Sequence, residues 1–371
     1  MGNKERYARQ ILLDEFGEAA QEKLLSAKVL VIGAGGLGCP ALQYLVAAGV
    51  GNIGIVDFDV VDLTNLHRQV IYSMEDIGEF KALAAAQKLN ALNPEIQIHS
   101  FNLQLTNKNA LELISGYDLV LDGSDNFATR YLVNDTCVLL DKPLVYGAVL
   151  RFEGQVGVFN MEDNLTKYKT NYRDLFPEPP NSSLTISCNE IGVIGVLPGI
   201  IGTMQALEAI KIITGIGQPL CNKIISYNAL NNLFYDFEVM PSNISTKLFP
   251  TTELEILNFN YDWFCNSIGI QISIDEFDTL RTNEKVTIID IREKDELPYI
   301  DEFSHINIPL SEIETCISQI SFENKIVVFC NSGARSFKAL NTINKIRPNC
   351  ISYSLKGGIE EWKKKNTRKI N

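Results

Sequence analysis

The sequence predicts an α/β chain: a doubly wound, mostly parallel sheet followed by a second, smaller α/β domain. Three observations carry this. An apolar, β-branched run at 28–32 stops at Gly33-Ala34-Gly35-Gly36-Leu37-Gly38, and a helical pattern through Leu42, Leu45 and Val46 follows. Short apolar runs then alternate with helical patterns to about residue 147. A fresh alternation begins near Ile270, past Pro241-Ser242-Asn243 and Pro250-Thr251-Thr252.

Residues 4–26 read as amphipathic helix with polar breaks. The run at 53–57 is a second strand, and with the first strand and the helix between them it completes a βαβ unit covered on both faces. Residues 81–92 read as helix, 96–100 as strand, and 118–122 and 143–147 as buried strands. The rhythm breaks at 161–187, a polar stretch with Pro177, Pro179 and Pro180, which reads as a long loop of the kind that carries function. Residues 192–213 are apolar with small side chains and read as buried helix at a candidate subunit contact. In the second domain Ser273 and Glu276 form a capping box for a helix reaching about Leu280. Strands are expected at 286–290 and 325–329, the latter ending at Cys330. The boundaries follow: a first domain at 1–245, a linker at 246–269 and a second domain at 270–371.

Composition narrows the function. The 371 residues are 46% hydrophobic and 21% charged, which suits globular domains rather than disorder. A formal net charge of -12 disfavours nucleic acid and anionic membranes as partners, though a few local cations suffice for one nucleotide. No apolar run approaches the roughly 20 residues of a membrane span, and no signal-peptide block follows the charged N-terminus. The eight cysteines form no CxxC pair, so a reduced, cytoplasmic setting is expected, with any working cysteine acting alone as a thiolate. Three histidines leave little for a histidine dyad or a histidine-rich metal site.

The glycine turn, with Gly33, Gly35 and Gly36 between strand and helix, lets backbone approach phosphate at a helix N-terminus. Asp57, closing the next strand, stands at the distance of a ribose ligand. This much leaves NAD, FAD and ATP open. Thr64-Asn65-Leu66-His67-Arg68-Gln69, then Lys81, then Asp125-Asn126 past a buried strand, add amides, cations and a carboxylate. Hydride transfer needs no such set. Cleavage of a triphosphate does, because charge develops on the α-phosphate and pyrophosphate, and an aspartate holding Mg²⁺ beside lysine and arginine is the matching equipment. No GxxxxGK[ST] occurs, so this is not a P-loop.

Several runs in order carry a family resemblance: RYARQ at 6–10, GAGGLGCP, DFDVVDLTNLHRQ, DGSDNFATRY and CNEIGVIGVLPGIIGTMQALEAIK. Over residues 4–240 the chain resembles the MoeB/ThiF/HesA family, prokaryotic relatives of ubiquitin-activating enzymes with a Rossmann-like sheet. The resemblance implies ATP-dependent adenylation of the C-terminal Gly-Gly carboxylate of a ubiquitin-fold sulfur carrier protein. It places Gly36 against the phosphates, Asp57 on the ribose, Asn65, Arg68 and Lys81 on the triphosphate, and Asp125 on magnesium. Arg9 resembles the arginine that reaches into the neighbouring active site of a homodimer. Cys188 matches the cysteine able to form a thioester or acyl-persulfide link with the carrier. Many members also hold a zinc ion with two CxxC pairs. Here the first pair's place reads Asn171-Tyr172-Arg173-Asp174, and the region 240–245 has no cysteine, so no structural zinc is expected.

Cys330 opens Cys330-Asn331-Ser332-Gly333-Ala334-Arg335-Ser336, a loop of small residues running into a helix. Its N–H groups, with Arg335, would stabilise a thiolate or persulfide. With Asp290-Ile291-Arg292-Glu293 and the closing Gly357-Gly358-Ile359-Glu360-Glu361-Trp362, the block from about 270 to 367 resembles a rhodanese domain with Cys330 as persulfide carrier. The usual loop has arginine where Asn331 stands, which leaves the donor preference open; a cysteine desulfurase is one candidate donor. A phosphatase loop would need arginine where Ser336 stands. Cys39 is expected in helix packing, and Cys137, Cys221, Cys265, Cys316 and Cys350 as structural.

Two rival readings remain at this stage. An NAD-linked oxidoreductase predicts hydride transfer without pyrophosphate release. A non-catalytic carrier-binding module predicts that Asp125→Ala changes nothing. The carrier itself could serve molybdopterin, thiamin thiazole or tRNA thiolation, and the rhodanese fusion with MoeB-like motifs favours molybdopterin.

Overall fold

The computed structural model describes residues 5–163, 167–177, 192–242, 250–261, 271–316, 320, 324–347 and 350–367. The chain divides into two compact units, with the change from first to second at Phe259 and Asn260.

The first unit is built on β1 (Lys28–Ile32), β2 (Asn52–Val56), β3 (Gln97–Phe101), β4 (Leu119–Asp122), β5 (Leu144–Leu150), β6 (Glu153–Phe159), β7 (Lys223–Asn228) and β8 (Leu233–Glu238). These form one sheet in the order β3-β2-β1-β4-β5-β6-β7-β8. The strands from β3 to β5 run parallel, and β6, β7 and β8 continue as an antiparallel meander. Val29, Leu30 and Val31 on β1 are fully buried because helices cover both faces, and each such side chain contributes roughly 1.5–3 kcal/mol relative to exposure. The strand order reverses at β1, where crossovers leave to opposite sides and open a crevice at the strand ends. Ile32 pairs with both Val56 and Asp122, so the ends of β1, β2 and β4 are level. That register brings Gly33, Asp57 and Gly123 together.

The meander was not legible in the sequence; β8 is exposed along its whole length. The expected buried helix is Val196–Thr214. It is long and apolar enough to cross a membrane, which corrects the reading that no run approaches that length. Its polar residues turn inward: Gln205 Nε2 donates to Asp122 O at 2.7 Å, and buried Glu208 accepts from Leu220 N at 2.8 Å. It packs on the Gly38–Ala48 helix and on β5 and β6, as a sheet-covering helix does. Of the expected linker, residues 250–261 are described, and within them Glu253–Asn258 is a helix capped by Thr252; Ile256 is buried and Asn107 Nδ2 donates to Leu257 O at 2.6 Å within the first unit.

The second unit holds β9 (Gln271–Ile272), β10 (Val286–Asp290), β11 (Ile306–Asn307), β12 (Lys325–Phe329) and β13 (Ser352–Leu355). They form a parallel sheet in the order β11-β10-β12-β13-β9. Ile289, Val328 and Leu340 pack on one face, and Phe277, Phe329 and Trp362 on the other. The capping box forms as expected, with Ser273 Oγ and Glu276 closing the Ile274–Asn283 helix. β12 ends at Cys330, at the C-terminal edge of the sheet.

Candidate active sites

A cleft of about 810 Å³ lies over the ends of β1, β2 and β4. Its floor is backbone. Gly33 has φ +90°, and a Cβ there would sit 2.9 Å from Gly123 O; a Cβ on Gly38 would sit 1.9 Å from Gly33 O. Any side chain at either position would force the turn apart. Gly33, Gly35 and Gly36 all line the cleft. Asp57 faces the turn: its Oδ2 accepts from Ala34 N at 2.8 Å and its Oδ1 from Asp59 N at 2.9 Å. Burial raises the Asp57 carboxyl above its ordinary value, with Lys81 and the two N–H donors pulling the other way.

Lys81 opens the Lys81–Leu92 helix and is buried, with Nζ 2.8 Å from Asp59. Arg68 Nη1 donates to Thr64 O at 2.9 Å, and Thr64 is itself held by Asp62. Thr64, Asn65, His67 and Arg68 line the cleft with Lys81. Leu66 does not; it packs partly buried against the hydrophobic core and leaves the set of expected ligands. Asp125 is exposed at the cleft, and Asn126 beside it caps the Phe127–Leu139 helix by accepting from Thr129 N at 2.9 Å. Arg9 sits exposed on the short Ala8–Ile11 helix, outside the lining of its own cleft. Cys188 and Cys265 lie outside the described residues.

Gln69, the amide that closes the 64–69 run, also lines the cleft; it is 3% exposed, and its Oε1 has no hydrogen-bond partner in the structure. Arg130 lines the cleft and escaped the sequence reading; it is buried and stands four residues past the Asn126 cap, one turn along the same helix.

For the metal, the expected donor Asp125 is an exposed carboxylate; Asp59 and Asp62 also line the cleft but are engaged by Lys81 and Thr64. Among the described residues no group of three His, Cys, Asp or Glu side chains could form a protein cage. A single carboxylate fits Mg²⁺, which keeps waters and shares substrate phosphates. Zinc does not fit the residues at the family's cysteine positions. Asn171 caps the Tyr172–Leu175 helix, and Arg173 forms a buried ion pair with Asp135 at 2.6 Å. Asp174 Oδ1 accepts from Ser242 N at 2.7 Å, and Tyr168 Oη lies 3.2 Å from Met240 Sδ. Hydrogen bonds join these two stretches through groups that offer no thiolate or imidazole.

In the second unit Cys330 is buried, and Gly333, at φ +92°, turns the loop into the Ala334–Ile346 helix. Gly333 N and Ser336 N donate to Cys330 Sγ at 3.2 and 3.4 Å, and Ser336 Oγ lies 3.6 Å away. Burial pushes the thiol up, but the hydrogen bonds from Ser336, Gly333 and Ser332 outweigh it, and the net shift is below the ordinary value. At Cys39 and Cys350 burial outweighs the hydrogen bonds and pushes the thiols up to about 12 and about 11. Arg335 turns from the sulfur to Glu296, with both terminal nitrogens at 2.5 Å from its carboxylate. That pairing holds Glu296 down to about 2. Arg292 is paired with buried Asp290 at 2.7 Å and donates to Asn331 Oδ1 at 3.1 Å. Asn331 thus bridges Arg292 and Glu296. The expected role of Arg335 on sulfur shifts to the loop N–H groups, and Glu296, three residues past the Asp290–Glu293 run, was missed.

The model of the ThiF family matches residues 7–247. The chain belongs to the ThiF family. A rhodanese-like domain matches residues 273–365 of this ThiF-family chain. The probable adenylyltransferase/sulfurtransferase MoeZ of Mycobacterium tuberculosis is 41% identical over 371 residues, covering 97% of this chain and 92% of its own. The sulfur carrier protein adenylyltransferase of Thermus thermophilus is 52% identical over 230 residues, covering 62% of this chain and 85% of its own. Among solved structures, E. coli MccB superposes with a TM-score of 0.56 at 21% identity, covering 66% of this chain and 75% of that one, which shows the fold alone. This ThiF-family chain is an enzyme in which an adenylyltransferase is joined to a sulfurtransferase.

Proposed function

We propose that the chain activates the C-terminal carboxylate of a ubiquitin-fold sulfur carrier with ATP and then delivers sulfur to it from a Cys330 persulfide. The carrying observation is the convergence of Asn65, Arg68, Lys81 and Asp125 on one glycine-floored cleft. A nicotinamide would leave those charges without work. In this reading Asp57 takes the ribose, and the 33–36 turn and the Gly38–Ala48 helix N-terminus face the phosphates. Arg68, Lys81 and Asn65 meet the triphosphate. Asp125 would hold Mg²⁺, which supplies charge neutralisation on the phosphates when bound.

The carrier carboxylate is already ionised at neutral pH, so its attack on the α-phosphorus needs positioning and neutralisation but no general base. The new bond joins carboxylate oxygen to α-phosphorus, the bond to the bridging oxygen breaks, and pyrophosphate leaves. A Cys330 persulfide, loaded by a donor such as a cysteine desulfurase, then attacks the acyl carbon and AMP departs. A second thiol, for which Cys188 is the candidate, attacks Cys330 sulfur and releases the thiocarboxylate. The resulting disulfide is returned by an external dithiol. Arg9 acts on the cleft of a second copy in a homodimer, the setting is cytoplasmic, and the rhodanese fusion favours a molybdopterin-type carrier. The test is exchange of labelled pyrophosphate into ATP: we expect it to depend on carrier and Mg²⁺ and to fail with carrier lacking its last glycine. Exchange of equal rate without carrier would refute the reading.

A further inference from the structure

Asp125 is exposed, yet the chain on either side of it is locked. Ser124 N and Oγ donate to Asp122 Oδ1 at 2.9 and 2.6 Å, and Ser124 O accepts from Arg130 Nη2 at 2.9 Å. Every polar group of Ser124 is therefore committed to Asp122, 1% exposed, or Arg130, 8% exposed. The two opposite charges attract across the turn. Arg130 is itself seated, with its guanidinium 5.3 Å from the centre of the Tyr146 ring. On the other side Asn126 is fixed as the helix cap. The turn is also registered against the glycine turn: Gly123 N donates to Ile32 O at 2.8 Å. A Cβ on Gly33 would strike Gly123 O at 2.9 Å, and one on Gly123 would meet Gly38 N at 3.2 Å.

We infer that Arg130, with Asp122, is a positioning residue that holds the Asp125 carboxylate at a fixed place relative to the phosphate-facing turn. The inference rests on the reading of Asp125 as the magnesium ligand. Mg²⁺ takes only one or two protein carboxylates beside substrate phosphates, so its affinity depends on how well the Asp125 carboxylate is presented. Partners behind a ligand are worth roughly 10–100-fold in metal affinity. Two buried opposite charges in this place otherwise have little to recommend them, since desolvation cancels much of their attraction.

The test binds Mn²⁺ as probe to the full-length protein saturated with the α,β-methylene analogue of ATP, read by electron paramagnetic resonance. Arg130→Met should weaken Mn²⁺ roughly 10–100-fold, a larger loss than that of analogue binding measured without metal. Arg130→Lys should recover part of the loss. Ser124→Ala, which deletes one bond and keeps the backbone, should give a smaller loss of the same sign, and it carries the test if Arg130→Met does not fold. Unchanged Mn²⁺ affinity in the folded variants overturns the inference. So does an equal loss of analogue binding, which would put Arg130 on the nucleotide itself. Asp125→Asn separates the levels: if it leaves Mn²⁺ affinity intact, the magnesium reading fails first.

Discussion

In the glycine-floored cleft two cations line the site: Arg68 donates to the Thr64 carbonyl, and buried Lys81 lies 2.8 Å from Asp59, whose own side chain is half exposed. In the thiol loop each of the two nearby guanidinium groups is already matched, Arg335 by Glu296 and Arg292 by Asp290. The sulfur there is held by N–H groups and one hydroxyl. The difference follows from what each site must carry. A triphosphate brings several charges that repel an incoming carboxylate, and dipoles alone do not offset them. A thiolate or persulfide carries one charge, and its nucleophilicity falls as its pKa falls, so a full counter-charge would weaken the attack. On the proposed function, one chain separates electrophile activation from nucleophile storage by domain, with cationic side chains lining the first site and N–H groups on the sulfur of the second.

The sharpest way to break this separation is Cys330→Ala. It should abolish thiocarboxylate formation and leave pyrophosphate exchange at the parent rate, both measured on one preparation. Loss of exchange as well would join the two chemistries. Next, Lys81→Met should lower exchange by roughly 10²–10³-fold, the scale of one lost charge-stabilising donor, and leave persulfide loading of Cys330 unaltered by mass.

A third contrast concerns the Arg173–Asp135 pair at the family's zinc positions. Arg173→Met takes the guanidinium from a buried carboxylate that keeps the Asn134 amide, and should cost up to about 3–5 kcal/mol in denaturant unfolding of the first unit. A chelator should leave the parent's melting temperature unmoved; a chelator-induced drop would return zinc to the fold. The smallest effect is on Cys330 itself. Its thiol lies below the ordinary value, so the rate of alkylation should rise with pH through a midpoint lower than a free thiol's. Ser336→Ala removes a donor to the thiolate and should move that midpoint upward. A downward move would show that burial, not hydrogen bonding, governs the sulfur.

The parallel half of the first unit was legible because a buried strand, a turn that tolerates only glycine and a covered helix each leave their own mark. Gly33 and Gly38 stand where any Cβ meets backbone. The meander was not legible, because β8 carries Phe234, Tyr235 and Phe237 exposed and shows no alternation of burial. Site residues with a charge and a motif, Asp57, Arg68, Lys81 and Asp125, were found in sequence and share the cleft. Leu66 was carried along by its neighbours, but its side chain packs partly buried against the core. Arg130 and Glu296 were missed because their roles come from contacts across the fold rather than from spacing along the chain.

The most direct measurement of the central claim is the mass of a molybdopterin-type carrier after incubation with this enzyme, ATP, Mg²⁺ and a persulfide donor. The account predicts a gain equal to one oxygen replaced by sulfur, absent when ATP is omitted or when Cys330→Ala is used. A carrier whose mass never changes, under conditions where Cys330 is persulfidated and pyrophosphate exchange proceeds, would contradict it.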